Sequence, residues 1–157
     1  MRKRIITPTP DTIRSHGEGW LDVERAALVE ITSEEPDHPI ESAFASGQAS
    51  GWRAATAGKQ TIRLVFDQPQ RLKRILLVFE ENETARTQEF VMRWSANGGN
   101  SFQEIFRQQW NFSPSGSTEE TEHYVTDLDR VSVLELAINP DISREGAVAS
   151  LSSWRLG

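Results

Sequence analysis

The side chains able to do chemistry in this chain are few and scattered. There is no cysteine, which removes a thiol nucleophile and thiolate ligation of zinc. Three histidines, His16, His38 and His123, stand far apart in sequence. A serine nucleophile needs a histidine base within reach and a carboxylate to orient it, and no such order is present. Gly-x-Ser-x-Gly, the phosphate-binding P-loop, His-Glu-x-x-His and Gly-x-Gly-x-x-Gly are all missing. "EPDHP" at 35–39 gathers Glu35, Asp37 and His38, a set that can touch a metal, but a proline-bounded polar turn accounts for the same letters. The acidic runs Glu80-Glu81-Asn82-Glu83 and Glu119-Glu120-Thr121-Glu122 offer paired carboxylates. A glycosidase sets two of these across a sugar bond, yet solvated loop charge is the commoner use. No catalytic residue and no metal ligand is assigned, and the chain is not expected to be an enzyme.

The elements that must position any site are strands. At 157 residues the chain is one domain by length, large enough to bury a core without staples. "LVEIT" sets Val29 and Ile31 on one face, and "TIRLVFD" turns Ile62, Leu64 and Phe66 inward. "RILLVFE" is apolar on both parities, with Leu76 and Val78 beside Ile75, Leu77 and Phe79, which predicts a central strand covered on both sides. "EFVMRWSA", then "NGGN", then "SFQEIFRQQWNF" reads as a hairpin, with Ile105 out of phase and marking a bulge. "HYVTDL", "VSVLELAINP" and "ASLSSWRL" complete about eight strands. One short helical turn is expected near 39–45, where Ile40, Ala43 and Phe44 fall at i, i+3 and i+4. An all-β, two-sheet sandwich or jelly roll buries these faces.

The opening "MRKRIITPTP" starts like a signal peptide, but Ile5-Ile6 is its whole apolar run before Pro8 and Pro10. Neither a signal peptide nor a membrane span is expected, residues 1–20 read as a tail before a domain at 21–157, and the lack of cysteine fits a cytoplasmic setting. Net charge is −6, which disfavours nucleic acid. The loose basic groups Arg71, Lys73, Arg74 and Arg53, Lys59, Arg63 read as solvated faces or strand edges. If strands alternate in direction, connections 68–72, 97–101 and 129–130 share one end. Connections 33–58, 81–86, 113–118 and 140–147 share the other, and that long-loop end is where a site is expected.

Four stretches together resemble the discoidin, or coagulation-factor type C, domain of the galactose-binding-like superfamily. They are "HPIESAFASGQASGWRA", "QTIRLVFDQPQRLKRILLVFEE", "EFVMRWSANGGNSFQEI" and "VLELAINPDISREGAVASLSSWRLG". The second is similar to a family strand pair that folds back on itself. The resemblance implies a jelly-roll sandwich acting as a non-catalytic binding module, with carbohydrate as the ligand class. An intracellular protein-interaction module is the alternative reading. A shorter likeness, "WRAATAGKQTI", is similar to the N-terminal domain of eukaryotic single-strand-break repair scaffold proteins and implies a third, DNA-break binding, against which the net charge stands. Many discoidin relatives carry Asp-Gly where this chain has Ser46-Gly47, in a loop that often holds a structural calcium. Calcium wants six to eight oxygens, so no cofactor is assigned, although Glu41 and carbonyls near 43–50 offer partial substitutes.

For a sugar, the useful groups at the long-loop end are Trp52, Arg53, Glu81, Asn82, Arg86, Trp110, Asn111, Asp141 and Arg144. Trp52 stands at the family's tryptophan position and is expected to plug the core, leaving Arg53 as the working residue. Trp94 and Trp154 lie on strands and read as core. Trp110, in phase with Phe106 and Phe112, reads as core too, close to the loop "SPSGST". Arg53 and Arg86 can equally form ordinary surface bridges to Glu80 or Glu81, worth little in energy.

Overall fold

The structure is a computed structural model and describes residues 19–45 and 51–157. The elements in chain order are α1 (Val23–Ala26), β1 (Ala27–Ile31), α2 (Glu41–Phe44), β2 (Trp52–Arg53), β3 (Gln60–Glu80), β4 (Arg86–Ser95), β5 (Gln103–Phe112), β6 (Glu119–Asn139), β7 (Ser150–Leu151) and β8 (Ser153–Leu156). The helical turn stands where the i, i+3, i+4 spacing puts it. The NGGN hairpin joins β4 to β5, with Gly98 and Gly99 at φ 74 and 96, values that side-chain-bearing residues avoid. The register slips between Met92 and Arg93 so that Ile105 is skipped, which is the expected bulge.

"TIRLVFD" and "RILLVFE" do not fold back on each other. They are two halves of one 21-residue run, β3, and "HYVTDL" with "VSVLELAINP" likewise forms one run of 21 residues, β6. The two pair antiparallel from Gln60↔Ile138 to Glu80↔Glu119, with register shifts confined to the segment between Val65 and Arg74. Bulges there bend both strands over the edge of the sandwich, and Pro69 sits in this corner, where a missing ladder N–H is tolerated. The first half of β3 and second half of β6 join β1, β4 and β5 in a layer ordered β1-β3-β6-β4-β5. The other halves form a three-stranded layer with β8. "ASLSSWRL" is split as well: β7 pairs with β2, and β8 with β3.

Inward-facing residues of both layers make one core. Ile62, Leu64, Leu134 and Leu136 meet Ile75, Leu77, Phe79 and Trp154, and the rings of Phe79 and Phe90 touch across the gap at 4.9 Å. The second half of β3 is central in its layer, as its double apolar pattern predicts. Among the described residues no second layer covers its outer face, however: Leu76 lies half-buried between His123 and Arg155, and Val78 between Thr121 and Ser153.

The outer face of the five-stranded layer carries a row of alternating charge. Glu30, Arg63, Glu135, Arg93 and Glu104 are successive cross-strand partners. Glu135, its side chain 5% exposed, holds Arg63 at 2.7 Å and Arg93 at 2.6 Å. Each arginine stays half in water, so loss of the central carboxylate costs pairing without stranding a buried charge. Glu135→Gln is expected to cost about 1 kcal/mol, or roughly 2–4 °C in melting temperature, and to flatten its salt dependence. An unchanged melt in low salt would show the row to be energetically neutral.

Candidate functional site

The loops at one end of the sandwich are tied together by short backbone ladders. Pro36-Asp37 forms the turn between Glu35 and His38, which bridge each other, and both bond the backbone of Arg53. The "EPDHP" run is therefore a pinned turn. Trp52 and Arg53 pair with Leu151 and Ser150. Gly51, at φ 84, makes this pairing possible, since a Cβ there would meet the Leu151 carbonyl at 2.7 Å and the Ser152 Cα at 2.8 Å. Trp52 is 1% exposed and donates its Nε1–H to the Ser33 carbonyl at 3.0 Å. It is a plug, as expected, and it delivers Arg53 to the surface beside it.

Of the clefts that open here, two adjoin at Arg53. The larger, about 490 Å³, is lined by Glu35, His38, Arg53, Asn82, Glu83 and Ser150 among others. The smaller, about 290 Å³, shares Arg53, Glu81 and Glu83 with it and adds Arg86, Asp141 and Arg144. The fold thus brings Arg53, Glu81, Asn82, Arg86, Asp141 and Arg144 to the one end that loop parity predicts. Trp110 and Asn111 line neither cleft. They lie on β5, the far edge strand, where Trp110 packs half-buried on the core and Asn111 accepts from the Thr87 hydroxyl at 2.7 Å. Parity fixes the end of a strand but not its place across the layer.

The accessible groups differ from the structural ones. Arg53 has a side chain 43% exposed and meets Glu35 at 3.5 Å, a loose pair that a ligand can replace. Its expected partners Glu80 and Glu81 are not the ones used, because Pro36 turns Glu35 onto β2. Glu80 and Glu83 are exposed and have no ion-pair partner among the described residues. Asp141 is buried and bonded by the Ser143 N–H and hydroxyl and by the Thr87 N–H. Burial pushes its carboxyl up, but these bonds and Arg144 outweigh it and hold it below the usual carboxylate range.

Arg86 is no surface bridge. Its side chain is 1% exposed; Nε donates to Glu81 at 2.8 Å, and Nη1 to Gln88 at 3.1 Å and the Pro140 carbonyl at 2.9 Å. Burial raises Glu81, but the bond from Arg86 and the N–H groups of Glu83 and Thr84 carry it below its ordinary value. Gln88 passes the chain of contacts to Glu120 at 3.3 Å, a fully buried carboxyl pushed up to about 8, first by burial and then by Glu122 beside it. Sequence alone reads these charges as surface. The available signal was parity: Arg86 and Gln88 fall in phase with Phe90 and Met92, and Glu120 and Glu122 with Tyr124.

Three arginines of the basic groups each have a separate partner. Arg71 forks onto Asp127, Arg63 enters the charge row, and Arg74 lies 3.7 Å over the Trp20 ring. Among the described residues no group of three or more His, Asp or Glu side chains is placed to hold a metal ion, and no helix is long and apolar enough to cross a membrane. The Ser46-Gly47 loop, His16 and most of the expected tail lie outside the described residues. On the described flank of that loop the Ala45 carbonyl accepts from Arg155 at 3.4 Å.

No family model and no curated protein sequence matches this chain. Solved structures do. The family 32 carbohydrate-binding module of Clostridium perfringens NanJ, in complex with galactose, aligns with a TM-score of 0.64 and 12% identity over 87% of this chain and 96% of that one. CpGH89CBM32-5 of the same organism, in complex with GalNAc-β-1,3-galactose, gives 0.60 and 15% over 88% and 99%. The CBM32 of AlyQ, in complex with 4,5-unsaturated mannuronic acid, gives 0.60 and 16% over 84% and 95%. Identities this low speak for architecture, and on that ground the chain has the galactose-binding-like jelly-roll fold of these modules.

Proposed function

We propose that the protein is a non-catalytic carbohydrate-binding module whose site is the paired clefts at the long-loop end. The observation that carries this reading is Arg53, delivered by a buried tryptophan to a concave polar wall and only loosely paired with Glu35. Arg53 and Asn82 supply the planar donors and acceptors that fit neighbouring hydroxyls. Glu81, Arg86 and Asp141 hold the wall in place and do not themselves meet ligand. Structures of the same architecture are solved with galactose and with an unsaturated uronic acid. Of these two chemistries, the uncompensated Glu80 and Glu83 favour a neutral sugar here, because an anionic one would approach two like charges. With Trp52 buried, no Phe, Tyr or Trp ring among the described residues lining the clefts stacks on the pyranose, so single-site affinity is weak and multivalent display strengthens it.

A glycan array probed with multimerised protein, with calcium and again with chelator, tests this. The expected result is a hit among neutral glycans that chelator leaves intact. Arg53→Ala is expected to lower its affinity about tenfold, the order of a lost charged hydrogen bond, with no change in melting temperature. A blank array in both buffers would remove the carbohydrate reading for common sugars.

A further inference from the structure

The five-stranded layer has two free edges, and they are built differently. Along β5, Gln103, Gln109 and Asn111 are exposed and polar, Arg107 is ion-paired, and the inner side is closed by Phe106 stacked on Tyr124 at 3.5 Å. Such an edge resists further pairing. Along β1 the inner side is open. Val29 and Ile31 remain half-buried because no strand lies beyond them among the described residues, and with Ile40 and Phe44 they floor a groove of about 350 Å³.

The same residues offer backbone. The Thr32 N–H bonds the Thr61 carbonyl at 3.1 Å, so in this antiparallel register the even-numbered residues of β1 turn their backbone groups to β3. Those of Val29 and Ile31 therefore face away from the sheet. Around the groove stand Glu24, Glu34 and Glu41. Glu34 spends one oxygen on the Ile40 N–H at 2.9 Å, and none of the three has an ion-pair partner among the described residues. An apolar floor, an unpaired strand edge and an anionic rim coincide at one place. Hydrophobicity alone would admit any aliphatic segment; the rim selects a basic one. It also disfavours the body of a second copy of this chain, whose net charge is −6.

We propose that this edge docks an extended segment of a partner protein, added as a strand to β1. The segment presents two aliphatic side chains at i and i+2 to the groove, with Lys or Arg flanking them. β1 spans five residues, so a hexapeptide covers it. This site is separate from the sugar clefts, and the inference does not rest on them.

The test uses the full chain and fluorescein-labelled Lys-Val-Thr-Ile-Lys-Arg, followed by anisotropy. Saturable binding is expected, weakening about threefold between 50 and 200 mM salt, as screening of exposed charge requires. The double variant Glu24→Lys/Glu41→Lys changes only exposed side chains and is expected to keep the wild-type melting temperature while raising the dissociation constant about tenfold. Glu-Val-Thr-Ile-Glu-Glu is expected not to bind. Three results would overturn the proposal: no saturable binding, binding indifferent to the double variant, or cross-linking that joins the groove to the chain's own Arg2–Ile6.

Discussion

Arg86→Ala is expected to cost about 3–5 kcal/mol of folding stability, the range for removing one partner of a buried ion pair. The variant would strand Glu81, which is only 12% exposed, with the N–H groups of Glu83 and Thr84 as its remaining partners. It would also leave the Pro140 carbonyl and Gln88 without a donor and remove the cation 4.8 Å above the Phe112 ring. Four segments of the loop end meet at this guanidinium, so the clefts should lose their shape with it. Arg86→Lys keeps the charge but not the fork, and a single ammonium cannot serve Glu81, Gln88 and Pro140 together; a smaller loss is expected. The sign with pH follows from Glu81. Its folded value lies below the ordinary one, so the pair stabilises above that ordinary value and the contribution is lost as pH falls through the folded value. Urea titrations of wild type and both variants at neutral pH decide the matter. Equal midpoints for wild type and Arg86→Ala would mean that Glu81 finds water or another partner.

Glu120→Gln should act in the opposite direction on both counts. In the unfolded chain this carboxyl ionises near its ordinary 4.5, while in the fold it stays protonated to about 8. Below 4.5 it is neutral in both states and costs nothing. As pH rises towards 8 the unfolded chain gives up a proton that the folded one keeps, so stability falls across this window and levels beyond it. A glutamine keeps the shape and the contact to Gln88 without the proton, so the variant should be more stable than wild type at pH 8. The gain is roughly 2 kcal/mol once water reaching the half-exposed Glu122 beside it is allowed for. Thermal melts from pH 4 to 9 should show the two proteins converging in acid and separating in base. Parallel curves would place the titrating group elsewhere.

Much of the fold was legible because strands announce themselves by parity. Ile62, Leu64 and Phe66 point inward as their alternation requires, and Ile105 is the residue the ladder skips; Trp52 is the plug that the family resemblance, not its local pattern, implied. What stayed hidden was the continuity of β3 and β6. A polar stretch with Pro69 looks the same whether the chain reverses or bends over an edge, since both need a break in the hydrogen-bond ladder. The candidate site was half legible. Loop parity collected Arg53, Asn82 and Arg144 at one end, but nothing local says that β5 lies at the far edge of its layer. Arg86 and Glu120 were misjudged for another reason: composition assigns charge to the surface, while their phase with Phe90 and Tyr124 assigns them to the interior, and here phase prevails.

The bent β3–β6 ladder also bears on how the molecule assembles. Gln60 must find Ile138 before the five-stranded layer is complete, and Ile75 must find Leu156 before the three-stranded one is, and each of the two long strands belongs to both layers. Neither layer is therefore a separable folding unit. Loop closure over such spans is entropically expensive before any contact repays it, so nucleation is slow and non-local. Once the ladder is zipped, the corner transmits any opening of one layer into the other, and the sandwich is lost or kept as a whole.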